Sequence, residues 1–253
     1  MTSPVPDGST AFGGHAAIYA RRRPGYPPSI FAALEAALSG PRDRAVDLGA
    51  GSGQATKELA ARFQRVSAVE PDARMAAEFP AIANVDVLNA PAETVEFPSA
   101  SVDCVIAATS FHWMDQAKVI ANVHRWLRPG GVFFPFLYDA FNVVGAGKAV
   151  YDRHAALWEP YKDRRLRENV DYARAFAASG VFRTWTPFRD EIGAALSADD
   201  AAGLLATTSF GSAYARAAHG DPSAYFAALA AEFRAAGEPL VVTAPLNGVI
   251  AVK

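Results

Sequence analysis

Between residues 44 and 138 short apolar runs alternate with helical stretches, and this alternation constrains the fold more than any other feature of the chain. The runs cover 44–48, 65–70, 85–88, 102–109 and 131–138. Helices are read at 54–63, 72–79 and 116–127, the last with Val119, Ile120, Val123 and Leu127 on one face. The run VDCVIAAT is apolar at odd and even positions alike, so both of its faces need cover. A parallel sheet between two helical layers provides that cover. Pro135, within the fifth run, cannot donate to a strand ladder and predicts an edge or a bulge.

The period breaks after Asp139. Residues 141–178 read as mostly helical, with Tyr151, Trp158, Tyr161, Tyr172 and Phe176 set among charges. Strands return at 184–192 and 239–253, the latter with an Asn247-Gly248 turn signal, and helices are read at 197–206 and 222–236. Ahead of the alternation, residues 1–14 are rich in Pro, Gly, Ser and Thr and are expected to be poorly ordered without a ligand. A short helix is read at 16–19, then a basic run, Arg21 to Arg23, and the breaker Pro24-Gly25-Tyr26-Pro27-Pro28. Ser29 reads as the cap of a helix over 30–38, with Ile30, Leu34 and Leu38 on one face and Gly40-Pro41 closing it.

Composition narrows the class. At 253 residues the chain holds one large domain, or one domain with an insertion. Its 24 basic and 26 acidic residues give no global electrostatic case for nucleic acid. The single cysteine, Cys104, cannot form an internal bridge, which fits a reducing, cytoplasmic compartment; its mid-strand position reads as buried and inert. No apolar run approaches the roughly 18 residues of a membrane span, and the N-terminus lacks the order of a secretion signal. The five histidines lack metal-ligand spacing, so no metal site is expected.

The strongest local signal is Val46-Asp47-Leu48-Gly49-Ala50-Gly51-Ser52-Gly53-Gln54, running from the first strand into a helix. Glycines at 49, 51 and 53 permit a tight turn and close backbone approach to a ligand at a helix N-terminus. Glu70 ends the second strand, where a carboxylate can accept both hydroxyls of a ribose. The spacing is G-x-G-x-G rather than G-x-G-x-x-G, which favours a ligand with one adenosine and no pyrophosphate.

With these residues the chain resembles the class I S-adenosylmethionine-dependent methyltransferases, and further segments match in order. Glu70-Pro71-Asp72 with Met75 is similar to the family segment in which the acid holds the ribose and the methionine packs on adenine. Ala90-Pro91-Ala92-Glu93, Phe97-Pro98 and Ser101-Val102-Asp103 resemble the segment that touches adenine. Pro91 stands where many relatives carry Asp, so the backbone amide of Ala92 is the contact that carries over. Arg125-Trp126-Leu127-Arg128-Pro129-Gly130-Gly131 matches the family's turn before the fifth strand. Tyr19 to Pro27 and Thr109-Ser110-Phe111-His112-Trp113-Met114-Asp115 resemble the trans-aconitate-methyltransferase-like group, as do Thr207-Thr208-Ser209 and the closing strand.

The resemblance implies a doubly wound, Rossmann-like α/β sheet of seven mostly parallel strands, the last antiparallel, with a helical insertion. It divides the chain into an N-terminal lid and helix (1–40), a cofactor-binding core (41–139), a helical cap over the acceptor (140–180) and C-terminal strands and helices (181–253). The cofactor implied is S-adenosyl-L-methionine, leaving S-adenosyl-L-homocysteine as product. Its site would comprise Tyr19, Arg23, Asp47, Gly49, Ala50, Gly51, Gly53, Glu70, Pro71, Met75, Ala92, Glu93 and Thr109. Tyr19 and Arg23 could clamp the methionine carboxylate. The partner would be a small-molecule acceptor, a carboxylate or a flat heterocycle, lying against His112, Trp113 and Tyr138. Neither nucleic acid nor membrane is expected as a partner, and the protein would be a monomer or homodimer.

His112 follows a strand end, where α/β sheets place ligands, and reads either as a general base or as a wall residue. Trp113 reads as an aromatic lid or as core, and Arg164, Arg165 and Arg167 as a solvated helix face. Two other functions compete with methyl transfer. An NAD-dependent oxidoreductase would need the G-x-G-x-x-G fingerprint, which is absent, and a non-catalytic S-adenosylmethionine-binding protein would carry the same motifs.

Overall fold

A computed structural model of the chain describes residues 25–168 and 170–253. The expected lid, the short helix over 16–19, Tyr19 and Arg23 lie outside the described residues. In chain order the described elements begin with α1 (Pro28–Ala37), β1 (Arg44–Leu48), α2 (Gln54–Ala60), β2 (Arg65–Val69), α3 (Ala73–Ala77), β3 (Val85–Leu88) and β4 (Val102–Ala108). A 3-10 turn (Phe111–Trp113), α4 (Gln116–Trp126), β5 (Leu127–Tyr138), β6 (Asn142–Val144), α5 (Lys148–Trp158), α6 (Arg165–Glu168) and α7 (Tyr172–Ser179) come next. The chain closes with β7 (Thr184–Leu196), α8 (Ala198–Leu205), α9 (Ser209–His219), α10 (Pro222–Ala236) and β8 (Leu240–Val252).

The strands form one sheet in the order β3-β2-β1-β4-β5-β8, with β7 on the far side of β8. β1 to β5 are parallel throughout, and β8 runs antiparallel to each of its neighbours β5, β6 and β7. The count is eight because the line of β5 is broken: β6 takes up the same edge of β8 after the kink at 139–141. The seven-stranded expectation therefore holds in outline, with one line in two pieces. Order reverses between β1 and β4, which makes their C-terminal ends the place where such sheets bind ligands.

Side chains on alternate positions feed two separate cores. From β4 and β5, Cys104, Ile106, Val132, Phe134 and Phe136 enter one core with α1, α2, α5, α8 and α10. Val105, Ala107, Phe133 and Leu137 enter the other with α4 and α7. This is why the strand sequences show no polar face. Cys104 is fully buried and its thiol is pushed far up by that burial.

Several local expectations are corrected. The first helix starts at Pro28, with Pro27 at the cap position, because a proline at the first turn gives up only an unneeded donor. Ser29 does not cap; its hydroxyl donates to Asp190. Pro135 marks no edge: β5 is interior, and its paired register with β8 lapses only between Phe133 and Phe136. The segment 128–131 is no turn before β5 but an irregularity inside it, where the β4 register shifts between Val102 and Cys104. Asn247-Gly248 makes no hairpin. Both residues sit mid-strand in β8, paired with β5 on one side and β7 on the other. Gly248 serves close packing, since a Cβ there would meet the Pro135 carbonyl oxygen at 2.8 Å. Helix α9 was not foreseen; it packs through the small residues Gly211, Ser212 and Ala215, which leave no apolar stripe to read.

Candidate active site

A cavity of about 750 Å³ opens at the C-terminal ends of β1 and β4. Gly49, Gly51, Glu70, Met75, Thr109 and Trp113 are among its walls. Gly49 has φ of +70°, and a Cβ on it would lie 2.5 Å from that of Ser110, so both conformation and space require glycine. The loop amides are not left open as a free helix terminus would leave them. Those of Gly49 and Ala50 donate to the Val69 carbonyl, at 2.8 and 3.0 Å, and that of Gly51 to Glu70 Oε2 at 2.8 Å. Glu70 Oε1 accepts the Asp72 amide at 2.9 Å, so one carboxylate ties the β1 loop to the β2 loop. Burial holds Glu70 above the usual carboxylate range, against the pull of those two amides.

Asp47 lies behind the loop, wholly buried, and takes a hydrogen bond from the Thr56 hydroxyl at 2.6 Å. Burial pushes its carboxyl up to about 7; the Thr56 bond opposes this and the nearby Glu70 charge adds to it. Its Oδ1 and the Ser52 hydroxyl are buried polar atoms with no hydrogen-bond partner among the described residues, and Ser52 lines the cavity. Unsatisfied groups at one loop call for an explanation, and a polar ligand supplies one. The residues present thus fit an adenosine-bearing cofactor: a carboxylate for a ribose, Met75 for a flat ring, and spare polar atoms for a charged tail.

A second cavity, about 700 Å³, adjoins the first. His112, Tyr138, Phe141, Lys162 and Phe210 are among its walls, and it shares Thr109 and Trp113 with the first cavity. His112 is buried, with Nδ1 3.2 Å from the Tyr172 hydroxyl. Arg165 is not a solvated side chain as expected. Its guanidinium stacks 4.8 Å from the Trp113 ring while two of its nitrogens bond Asp163. Lys162 sits 5.3 Å from the Phe210 ring and pairs with Glu159.

The junction of the cavities is strained. Thr109 has φ of +55°, a conformation that costs a β-branched residue about 1–3 kcal/mol and that clusters at functional sites. Its Oγ1 lies 3.1 Å from the hydroxyl of Tyr26, which stacks on Tyr138 at 5.1 Å. Tyr26→Phe is expected to lower unfolding free energy by about 1 kcal/mol, the net worth of such a bond. Tyr26→Ala should cost more, because the stack is lost as well. Urea denaturation measures both; a Phe variant as stable as the parent would show that the hydroxyl holds nothing.

Of the residues read from sequence, Gly49, Ala50, Gly51, Glu70, Met75 and Thr109 line the first cavity. Asp47 backs it, and Gly53 caps α2. Pro71, Ala92 and Glu93 are not among its lining residues: Ala92 packs in the core, and Glu93 accepts the Asp115 amide at 2.9 Å. His112, Trp113 and Tyr138 come together in the second cavity. Tyr26, Lys162 and Phe210 went unread as site residues, since each arrives from a distant segment; only the Tyr-Pro pair at 26–27 carried a signal. Among the described residues, no cluster of metal-ligating side chains occurs and no helix is long and apolar enough to cross a membrane.

An open α/β sheet with a cavity at its switch point and an acidic residue after β2 is the arrangement in which such sheets bind nucleotide-type ligands. A family model described as a methyltransferase domain matches residues 46–134. A solved Anaeromyxobacter dehalogenans protein, provisionally assigned as a type II methyltransferase, is 32% identical over 91% of this chain and 97% of that one, with a TM-score of 0.71. The chain therefore belongs to the class I S-adenosylmethionine-dependent methyltransferases and is an enzyme. An uncharacterized methyltransferase of Mycobacterium tuberculosis is 39% identical over 52% of this chain and 53% of its own length. A Saccharomyces cerevisiae protein, provisionally assigned as S-adenosylmethionine-dependent, is 30% identical over 60% of this chain and 55% of its own length. The chain thus spans about half the length of these two curated relatives.

Proposed function

We propose that the protein methylates an oxygen or nitrogen of a small molecule held in the second cavity, using S-adenosylmethionine held in the first. The observation that carries this reading is that the two cavities meet at Thr109 and Trp113. Glu70 would receive the ribose hydroxyls, Met75 would face the adenine, and Asp47 and Ser52 would answer polar groups of the methionine moiety. When bound, the cofactor supplies a methyl group already activated on a sulfonium. The protein is then left with alignment and the exclusion of water, and orientation alone is worth on the order of 7–11 kcal/mol of barrier lowering.

The second cavity is lined mainly by aromatic and apolar side chains with a few polar groups among them, as small-molecule sites are. Trp113, Tyr138, Phe141 and Phe210 suit a flat heterocycle, while Lys162 suits a carboxylate such as the trans-aconitate-like resemblance implies. The single buried cysteine supports a cytoplasmic setting. Separate calorimetric titrations with S-adenosylhomocysteine and NAD test the reading. Binding of the first and not of the second is expected; tight NAD binding with none of S-adenosylhomocysteine would overturn it.

A further inference from the structure

Trp113 is the aromatic residue common to the walls of both cavities. It ends the 3-10 turn and is only half-buried, so core packing does not hold its ring as it holds that of Phe111. The guanidinium of Arg165 lies over that ring, 4.8 Å from its centre, and the His112 ring lies beside it at 4.9 Å. Arg165 is itself held. Its Nε and Nη2 donate to the two oxygens of Asp163, at 3.1 and 3.0 Å, and its backbone amide donates to Oδ1 at 2.8 Å. Such a two-bond fork fixes the plane of the guanidinium as well as its position. Those bonds also hold the Asp163 carboxyl below the usual carboxylate range, so the fork stays charged at neutral pH.

We infer that Arg165 is a positioning residue for methyl transfer: it pins the Trp113 ring and so ties the wall of the second cavity to that of the first. The inference rests on the first cavity being the cofactor site. Lys162, Leu166 and Val170, from the segment that carries Arg165, line the second cavity, whereas Arg165 is not among the lining residues of either. Its part is therefore to meet the ring that meets the ligand. A half-buried indole without such a pin samples several rotamers, and a ligand seated against it must stop that motion, a cost that binding then bears. With Arg165 in place the ring is set before the cofactor arrives.

A double-mutant cycle read by calorimetric titration of S-adenosylhomocysteine tests this. Arg165→Met keeps the length and packing of the stem but loses the charge and the fork. It is expected to weaken binding about 2- to 10-fold, the range set by a cation over an indole and by the ordering of one side chain. In a Trp113→Leu background the same change should bring no further loss, because the ring through which it acts is gone. Arg165→Lys, which keeps a cation over the ring without the fork, should recover part of the affinity. An Arg165→Met protein with the parent's affinity overturns the inference, and so does an equal loss in both backgrounds, the mark of a merely structural effect. Should Arg165→Met fail to fold, Asp163→Asn takes its place in the cycle, breaking the fork while the guanidinium remains. Weaker binding only where Trp113 is present is again expected, and the same two outcomes overturn the inference. No binding of S-adenosylhomocysteine by the parent protein overturns the cofactor reading and this inference together. Binding by the parent with an additive cycle overturns this inference alone.

Discussion

Glu70→Ala is expected to weaken S-adenosylhomocysteine binding about 10- to 150-fold, the equivalent of roughly 1.5–3 kcal/mol for a hydrogen bond to a charged group. The carboxylate does two things at once. It is a wall of the first cavity, and it accepts the amides of Gly51 and Asp72, one on each oxygen. Alanine would remove the ligand's partner and also untie the glycine loop from the β2 end, so the order of the loop is lost along with the contact. Glu70→Gln separates the two effects. Its side chain keeps the shape and one accepting oxygen, so it should fall between the parent and the alanine variant. Calorimetric titration of the three proteins measures this, and equal affinity in all three would show that the ribose is held elsewhere.

The centre of the sheet was legible because β1, β4 and most of β5 are buried on both faces, which leaves a largely apolar run for each, and because glycines at 49 and 51 mark a turn only a few residue types can make. Element ends were read to within a few residues. What failed had tertiary causes. Asn247-Gly248 is a strong local turn signal, yet it lies in a strand with partners on both edges, where Gly248 answers the approach of the Pro135 carbonyl. Arg165 reads locally as a surface charge beside Asp163, and nothing local reveals that it covers Trp113. The first cavity is built largely from the motif region between residues 49 and 75 and could be read from it. The second cavity gathers residues from 109–113, 137–141, 162–170 and 208–210, and only the first of these carried a pattern tied to a ligand.

Asp47→Asn should reveal the cost of keeping an acid in the first strand. The carboxyl is pushed up to about 7 in the folded protein, against about 3.9 in an unfolded chain. Between those values the folded state holds a proton that the unfolded state has released, so the contribution of this group to stability falls as pH rises. The slope is about 1.4 kcal/mol per pH unit, and the total is about 4 kcal/mol by pH 7. Below pH 4 both states are protonated and above 7 both are ionised, so the curve is flat at each end. Asparagine keeps the shape and an oxygen for the Thr56 hydroxyl but has nothing to ionise. The amide brings a fixed offset of its own, so the decisive quantity is the stability difference between variant and parent. Urea denaturation from pH 4.5 to 8 should show that difference growing toward about 4 kcal/mol, then levelling. A difference that stays constant would mean that Asp47 ionises normally in the fold. The expected growth carries a functional point as well. A buried acid with an unpartnered Oδ1 beside a ligand cavity destabilises the free protein, which a core residue has no reason to do and a ligand-binding residue has.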